Sequence, residues 1–248
     1  MRLRDKVVIV TGAARNIGRV YAEGLAAEGA KVGAADILDA SDTVRAIEAG
    51  GGDALAVLTD VSDEAATKKM AEVVHKRFGR IDALVNNAAI YQDLSMKPFS
   101  DISVDEWDRV MAVNLRGIFL CCKAVVPYMK AQGYGRIVNI SSNTVFKGTP
   151  GLLHYVTSKA GVLGFSRALA RECGSSGIHV NSVAPDYIPH AKDDREQPER
   201  DAMIQESRAI RRREVPEDMI GTIVFLLSSD ADFITGQTIS VNGGSVMS

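Results

Sequence analysis

The stretch Lys6-Val7-Val8-Ile9-Val10-Thr11-Gly12-Ala13-Ala14-Arg15-Asn16-Ile17-Gly18 decides the fold. A β-branched apolar run (Lys6–Thr11) passes through a turn of small residues into Ile17–Glu28, where Val20 and Leu25 recur at helical spacing. Strand, small-residue turn and helix open a βαβ unit. Small residues let the backbone approach a pyrophosphate, and the helix N-terminus adds N–H groups and a positive dipole end. A glycine turn alone is weak evidence, because many strand–helix joints contain one.

Outward from this turn the pattern repeats. Apolar runs at Lys31–Asp36, Ala54–Leu58, Ile81–Val85, Arg136–Ile140, Ile178–Ala184 and Thr238–Val241 read as buried strands. Glu64–Arg77, Asp105–Lys130, Tyr155–Glu172 and Glu217–Leu227 read as helices, the second broken at Asn114 or Pro127. Such alternation predicts right-handed crossovers and a three-layer α/β fold: a doubly wound parallel sheet of about seven strands with helices on both faces. No linker or repeat divides the chain, so residues 1–248 are expected to form one domain. A polar excursion near 186–214 stands apart: seven bases and seven acids crowd positions 192–214, as in a lid or a surface helix pair.

Composition bounds the function. The 248 residues are 46% hydrophobic and 24% charged, which is ordinary for a globular domain with a sizeable core. A net charge of −2 offers no basic excess for nucleic acid or an anionic membrane, and neither partner is expected. No apolar run approaches the ~18 residues of a membrane span, and the apolar segment after Lys6 is too short for a signal-peptide core. A cytoplasmic location is the expectation. Cys121, Cys122 and Cys173 lack zinc-like spacing and read as reduced thiols, with no metal site expected.

Two ends of the fold carry candidate chemistry. Asp36 closes the second strand, where a carboxylate accepts hydrogen bonds from a ribose 2′-OH and repels a 2′-phosphate. The bland alternative is an acid that caps the following loop. Arg15 argues the other way, since a guanidinium pairs with a 2′-phosphate. Asp60-Val61 ends the third strand and offers a second resting place for a nucleotide. At the other end, Tyr155 and Lys159 share a helix face at i, i+4. A phenol titrates near ~10, and a neighbouring ammonium favours its ionised form, making it an acid/base for an alcohol proton. Ser142, thirteen residues upstream, follows the fifth strand, and ligands of α/β sheets bind at the carboxyl ends of strands.

The motifs together resemble the short-chain dehydrogenase/reductase family, in its compact single-domain branch, across essentially the whole chain. The resemblance rests on the Thr11-Gly12 turn, Asp60-Val61, Asn86-Asn87-Ala88-Ala89, Val113-Asn114, Ser141-Ser142, Tyr155-x-x-x-Lys159, Asn181-Ser182-Val183-Ala184-Pro185 and Phe233-Ile234-Thr235-Gly236-Gln237. It implies a Rossmann-like fold and NAD as cofactor, with hydride passing between the nicotinamide and a small alcohol or carbonyl substrate. Tyr155 is then the acid/base and Ser142 the donor to the substrate oxygen. Lys159 lowers the Tyr155 pKa and binds the nicotinamide ribose, and Asn114 holds a water in a proton relay. Gly12, Arg15, Asn16, Ile17 and Gly18 form the phosphate turn. Asp36 and Ile37 flank the adenosine ribose, Asp60 and Val61 the adenine, and Asn87, Ala88 and Ala89 the adenosine-side ribose region. Pro185 and Ile188 flank the nicotinamide, with the Ile188 backbone on the carboxamide. The resemblance also implies a homotetramer built on the two long helices and the C-terminal region.

The chain departs from the family pattern at four places. Asn16 replaces a glycine, and asparagine tolerates left-handed backbone better than most residues. Ala89 replaces another glycine. Asp186 and His190 stand where glycine and threonine are usual, so Asp186 is either a carboxylate in the substrate pocket or a solvated loop residue, and His190 either a donor or solvated. His154 has a pocket-lining reading beside a structural one. Arg211-Arg212-Arg213 reads as a surface ion cluster with Glu206 and Glu214, or as an attractor of acidic substrates. Tyr91, Gln92, Asn143, Val145, Phe146, Leu152, Leu153 and Tyr187 are the pocket candidates, and favour a hydrophobic or aromatic alcohol. An NAD(H)-linked alcohol dehydrogenase/ketone reductase is the first functional reading. An NADPH-dependent ketoacyl-type reductase and a non-catalytic NAD sensor are the alternatives.

Overall fold

The computed structural model describes residues 1–189 and 198–247; His190 and its sequence reading lie outside them. Seven parallel strands form one sheet in the order β3-β2-β1-β4-β5-β6-β7, and their ranges are β1 Val7–Thr11, β2 Lys31–Asp36, β3 Asp53–Leu58, β4 Ala83–Asn86, β5 Gly135–Ile140, β6 Ile178–Pro185 and β7 Thr238–Val241. The order reverses beside β1, which pairs Val8 with Val32 on one flank and with Ala83 on the other. This switch point opens a crevice at the carboxyl ends of β1 and β4.

The helices are α1 Asn16–Ala27, α2 Ser41–Ala49, α3 Glu64–Phe78, α4 Val104–Met111, α5 Gly117–Gln132, α6 Thr144–Lys147, α7 Leu153–Cys173, α8 Pro198–Glu206 and α9 Glu217–Leu227. Alternate strand residues feed two cores. Val8, Val10, Val85, Val138 and Val183 join α1 and α9 on one face, while Val7, Ile9, Leu84, Ile137 and Val180 join α3, α5 and α7 on the other. Burial on both faces explains why the strands read as continuous apolar runs.

Two sequence expectations need correction. The nine-residue α2 was not anticipated; it buries only Thr43 and Ile47, too short a pattern to stand out. Of the two break points expected in the long helix, Asn114 holds: it lies in a π-turn over Ala112–Arg116, closed by a bond from the Gly117 N–H to the Ala112 carbonyl. Pro127 lies inside an uninterrupted α5. Finally, the helical run Val104–Gln132 is by length and composition able to cross a membrane, although no unbroken apolar run of that length marks it in the sequence. Its packing against α3, α7 and β4 is that of a core helix.

Candidate active site

The turn between β1 and α1 is built to leave a helix N-terminus open. Gly12 has φ +70° and Asn16 φ +51°, so the asparagine adopts the left-handed backbone expected of it. A Cβ at Gly12 would come within 2.9 Å of the Ala88 Cα, and one at Gly18 would collide with the Gly12 carbonyl, so both positions require glycine. Arg15 is the extended N-cap of α1, is exposed and gives the helix no side-chain cap. The first N–H groups of α1 therefore face the crevice without a side-chain acceptor, while Ile17 is partly buried against the core.

Neighbouring elements lock the turn. Asn87 Nδ2 donates to the Thr11 carbonyl at 2.9 Å, and the N–H groups of Asn87 and Ala88 donate to Thr11 Oγ1 at 3.0 and 3.1 Å. Asn87 thus spends its amide on the turn, whereas Ala89 is exposed beside it. Thr43, which sequence reading missed, donates from Oγ1 to the Ala13 carbonyl at 2.8 Å and ties α2 to the turn. Asp36 does the capping that the bland reading foresaw: Oδ1 accepts from the Leu38 N–H at 2.9 Å and Oδ2 from the Ala14 N–H at 2.8 Å. An ionised carboxylate has about four acceptor positions, so two remain. Ile37 projects exposed next to it. At the end of β3, Asp60 Oδ1 accepts from the Ser62 N–H and hydroxyl, while the Val61 side chain is buried against Gly117. An uncapped helix N-terminus flanked by strand-end acids is a donor and acceptor set that fits a nicotinamide dinucleotide.

The reacting end forms at β5, α5 and α7. Ser141 Oγ donates to the Lys159 carbonyl at 2.9 Å, pinning α7 to the end of β5. Ser142 is buried, and its Oγ accepts from the Thr144 N–H and Oγ1 at 3.2 and 3.0 Å. Tyr155 lies in the first turn of α7, with the Tyr91 ring 4.9 Å from it at 50°. Lys159 Nζ sits 5.9 Å from the Tyr155 ring centroid. Burial and the adjacent Tyr91 push the Tyr155 phenol above its ordinary range, and the Ser142 side chain opposes them. Lys159 is not among the groups that shift the phenol: burial pushes its own amine down to about 8, and Nζ donates to the Ile140 carbonyl at 2.7 Å. Asn114, wholly buried in the π-turn, bridges Ile90 and α7: Oδ1 accepts from the Ile90 N–H at 2.7 Å, and Nδ2 donates to the Ile90 carbonyl and to Ser158 Oγ at 3.1 and 3.2 Å.

Other candidates move. His154 is wholly buried, with Nε2 2.9 Å from Glu106 Oε1, and Lys97 Nζ donates to Glu106 Oε2 at 2.6 Å. This corrects the pocket-lining reading of His154. Asn143 is also buried: its N–H donates to the Pro185 carbonyl at 2.7 Å and its side chain bonds Asp186 and Asn242. Leu152 and Ile188 are buried and Leu153 exposed. Arg212 pairs with Asp218 and Arg213 with Asp201, not with the acids expected. Asp186 is not solvated: its carboxylate is buried between Lys147 and Arg208.

A dinucleotide turn at the switch point, with Ser142, Tyr155 and Lys159 gathered at the strand ends, defines a Rossmann-type oxidoreductase. The chain belongs to the short-chain dehydrogenase/reductase family, whose members use a nicotinamide cofactor. A family model described as enoyl-(acyl carrier protein) reductase matches residues 12–246. The chain is 42% identical to a 3-oxoacyl-[acyl-carrier-protein] reductase of a Synechocystis species, covering 99% of this chain and 98% of that one. It is 38% identical to the short-chain reductase protein NovJ of Streptomyces niveus, covering 97% and 94% respectively. The crystal structure of a protein described as a short-chain alcohol dehydrogenase from Sinorhizobium meliloti superposes with a TM-score of 0.92 at 34% identity, over 98% of this chain and 97% of that one.

Proposed function

We propose that the protein is an NAD(H)-linked oxidoreductase interconverting a secondary alcohol and its ketone. The observation that carries this reading is the buried group of Ser142, Tyr155 and Lys159, hydrogen-bonded into the ends of β5 and α7 beside an uncapped phosphate turn. Bound nicotinamide accepts or supplies the hydride. The α1 N-terminus from Asn16 to Gly18 holds the pyrophosphate, the spare lone pairs of Asp36 take the adenosine ribose hydroxyls, and Asp60 with Val61 borders the adenine. Lys159 would hold the nicotinamide ribose hydroxyls, and its ammonium would favour the ionised form of Tyr155. Ser142 donates to the substrate oxygen while Tyr155 takes the alcohol proton, or returns it in reduction. The proton leaves through Lys159 and water held at Asn114.

Production of NADH across a panel of secondary alcohols, hydroxy acids and polyols tests this; absence of turnover despite tight NAD binding would favour the sensor reading. A second reading is supported by the relatives named 3-oxoacyl-[acyl-carrier-protein] reductases and by the exposed Arg15. It substitutes NADPH and a 3-oxoacyl group on a carrier protein, and reduction of an acyl thioester at rates above those for simple ketones would select it.

Self-assembly belongs to the same reading. A concavity of about 990 Å³ lies on the α4–α5–α7 face, where Leu115, Phe119 and Phe165 are bordered by Asp108, Arg109 and Arg116. Phe119 is 48% exposed there. This apolar face fits a homotetramer packed on α5 and α7, and a monomer by light scattering would reject it.

A further inference from the structure

A buried ion network joins the polar excursion to the Ser142 segment, and its centre is Asp186. The carboxylate is only 5% exposed. Its Oδ1 accepts from Lys147 Nζ at 2.7 Å and from Asn143 Nδ2 at 3.3 Å, and its Oδ2 from Arg208 Nε at 3.1 Å. Arg208 is as deeply buried and donates to the Tyr187 and Arg212 carbonyls, each at 3.0 Å. Glu214 completes the set: Oε1 accepts from the Asp186 N–H at 3.3 Å, and Oε2 lies 3.4 Å from the Arg208 guanidinium. Arg208 and Asp186 are both shielded from solvent, and Lys147 reaches their pair from the partly exposed end of α6.

The bonds from Asp186 fall on both ends of one short segment. Asn143 follows Ser142 directly, and Lys147 ends α6. Between them, Thr144 donates to Ser142 Oγ through both its N–H and its hydroxyl. Asn143 is held further by the Pro185 carbonyl through its N–H and by Asn242 Nδ2 through its Oδ1. The turn carrying Ser142 is therefore clamped to the end of β6 by one carboxylate, which Arg208 anchors from the far end of the excursion. We propose that Asp186 is a positioning residue that fixes the Ser142 hydroxyl by clamping segment 142–147 to the base of the substrate excursion.

The proposal rests on the reading that Ser142 contacts the reacting oxygen, and a double-mutant cycle separates the two. Displacing a reacting group by about 1 Å costs on the order of 100-fold in rate. D186A in the full-length protein is expected to lower kcat by roughly 10- to 100-fold, with the Kd for NADH within about twofold of wild type. In an S142A background the same change is expected to add less than about twofold, because the hydroxyl it positions is gone. Lys147 is partly exposed, so K147M breaks one arm with little risk to folding; it is expected to lower kcat by a smaller factor, again without effect in S142A. Full multiplication of D186A or K147M with S142A, or wild-type kcat in both variants, would overturn the positioning role. Should S142A itself keep full turnover, the proposed function fails at that residue. Amide exchange over 142–147 then decides the clamp: faster exchange in D186A and K147M upholds it, and unchanged protection ends it.

Discussion

Lys159 Nζ donates to the Ile140 carbonyl oxygen at 2.7 Å, so the amine expected to tune Tyr155 is tied to the end of β5. Burial lowers it from the ordinary 10.5 to about 8. A base whose folded pKa is depressed adds stability above the unfolded value and loses it as pH falls through the folded one. At pH 7 the folded protein therefore carries a buried ammonium at a cost that fades toward pH 10.5. K159M removes that charge. Its melting temperature relative to wild type should be highest near pH 7 and decline steadily between about 8 and 10.5, even though turnover is lost. A pH-independent difference would show that the amine does not titrate as burial dictates.

Tyr155 carries the proton in the proposed reaction, and burial with the adjacent Tyr91 favours its neutral phenol. Y155F keeps the ring against Tyr91 and loses only the hydroxyl. Turnover should fall by roughly 10²–10⁴-fold, the usual share of a general acid/base. NADH binding followed by fluorescence should change little. Near-normal kcat in Y155F would remove Tyr155 from the chemistry.

Asp36 caps the phosphate turn and, in the proposed reading, also selects the cofactor, and a single substitution can part the two. D36N keeps an acceptor for one of the two N–H donors, Ala14 or Leu38, but removes the charge that repels a 2′-phosphate. The ratio of kcat/KM for NAD over NADP should drop by about tenfold or more, equivalent to about 1.4 kcal/mol. Loss of a charge-assisted bond to the turn should also cost about 1–3 kcal/mol in stability, read by urea denaturation. A wild-type protein that strongly prefers NADPH would refute the role given to Asp36 and turn attention to Arg15.

The sequence made some of this legible and hid the rest for physical reasons. Strands such as Val7–Thr11 were readable because both faces are buried and no polar residue interrupts them. Tyr155 and Lys159 were readable because i, i+4 spacing places them on one helix face whatever the tertiary fold. Asn16 announced its left-handed φ by being the residue type that tolerates it. Arg208 gave no such signal. It stands among Arg211, Arg212 and Arg213, and only the fold decides that one of these guanidinium groups is buried while Arg212 and Arg213 pair at the surface. Asp186 was hidden likewise, because its partners Lys147 and Arg208 lie 39 and 22 residues away. Asn143 looked like a pocket residue by position, yet its side chain turns inward to Asp186 and Asn242.

Glu214 supplies the last expectation, because the network does not satisfy it fully. Its Oε2 and the buried Tyr21 hydroxyl on α1 both lack a hydrogen-bond partner. Burial pushes Glu214 up from 4.5 to about 7; Arg208 opposes this, Asp186 reinforces it, and Glu214 in turn helps hold the Tyr21 phenol above its ordinary range. For an acid whose folded pKa is raised, stability is fully present below the unfolded value and is lost as pH rises through the folded one. Wild-type stability should therefore fall between about pH 4.5 and 7 by an amount that E214Q, which cannot ionise, does not lose. The melting temperature of E214Q minus that of wild type should grow across that interval and level off above it. The opposite slope would mean that Arg208 holds Glu214 ionised throughout, and that the network is a plain pair of salt bridges without a proton at its centre.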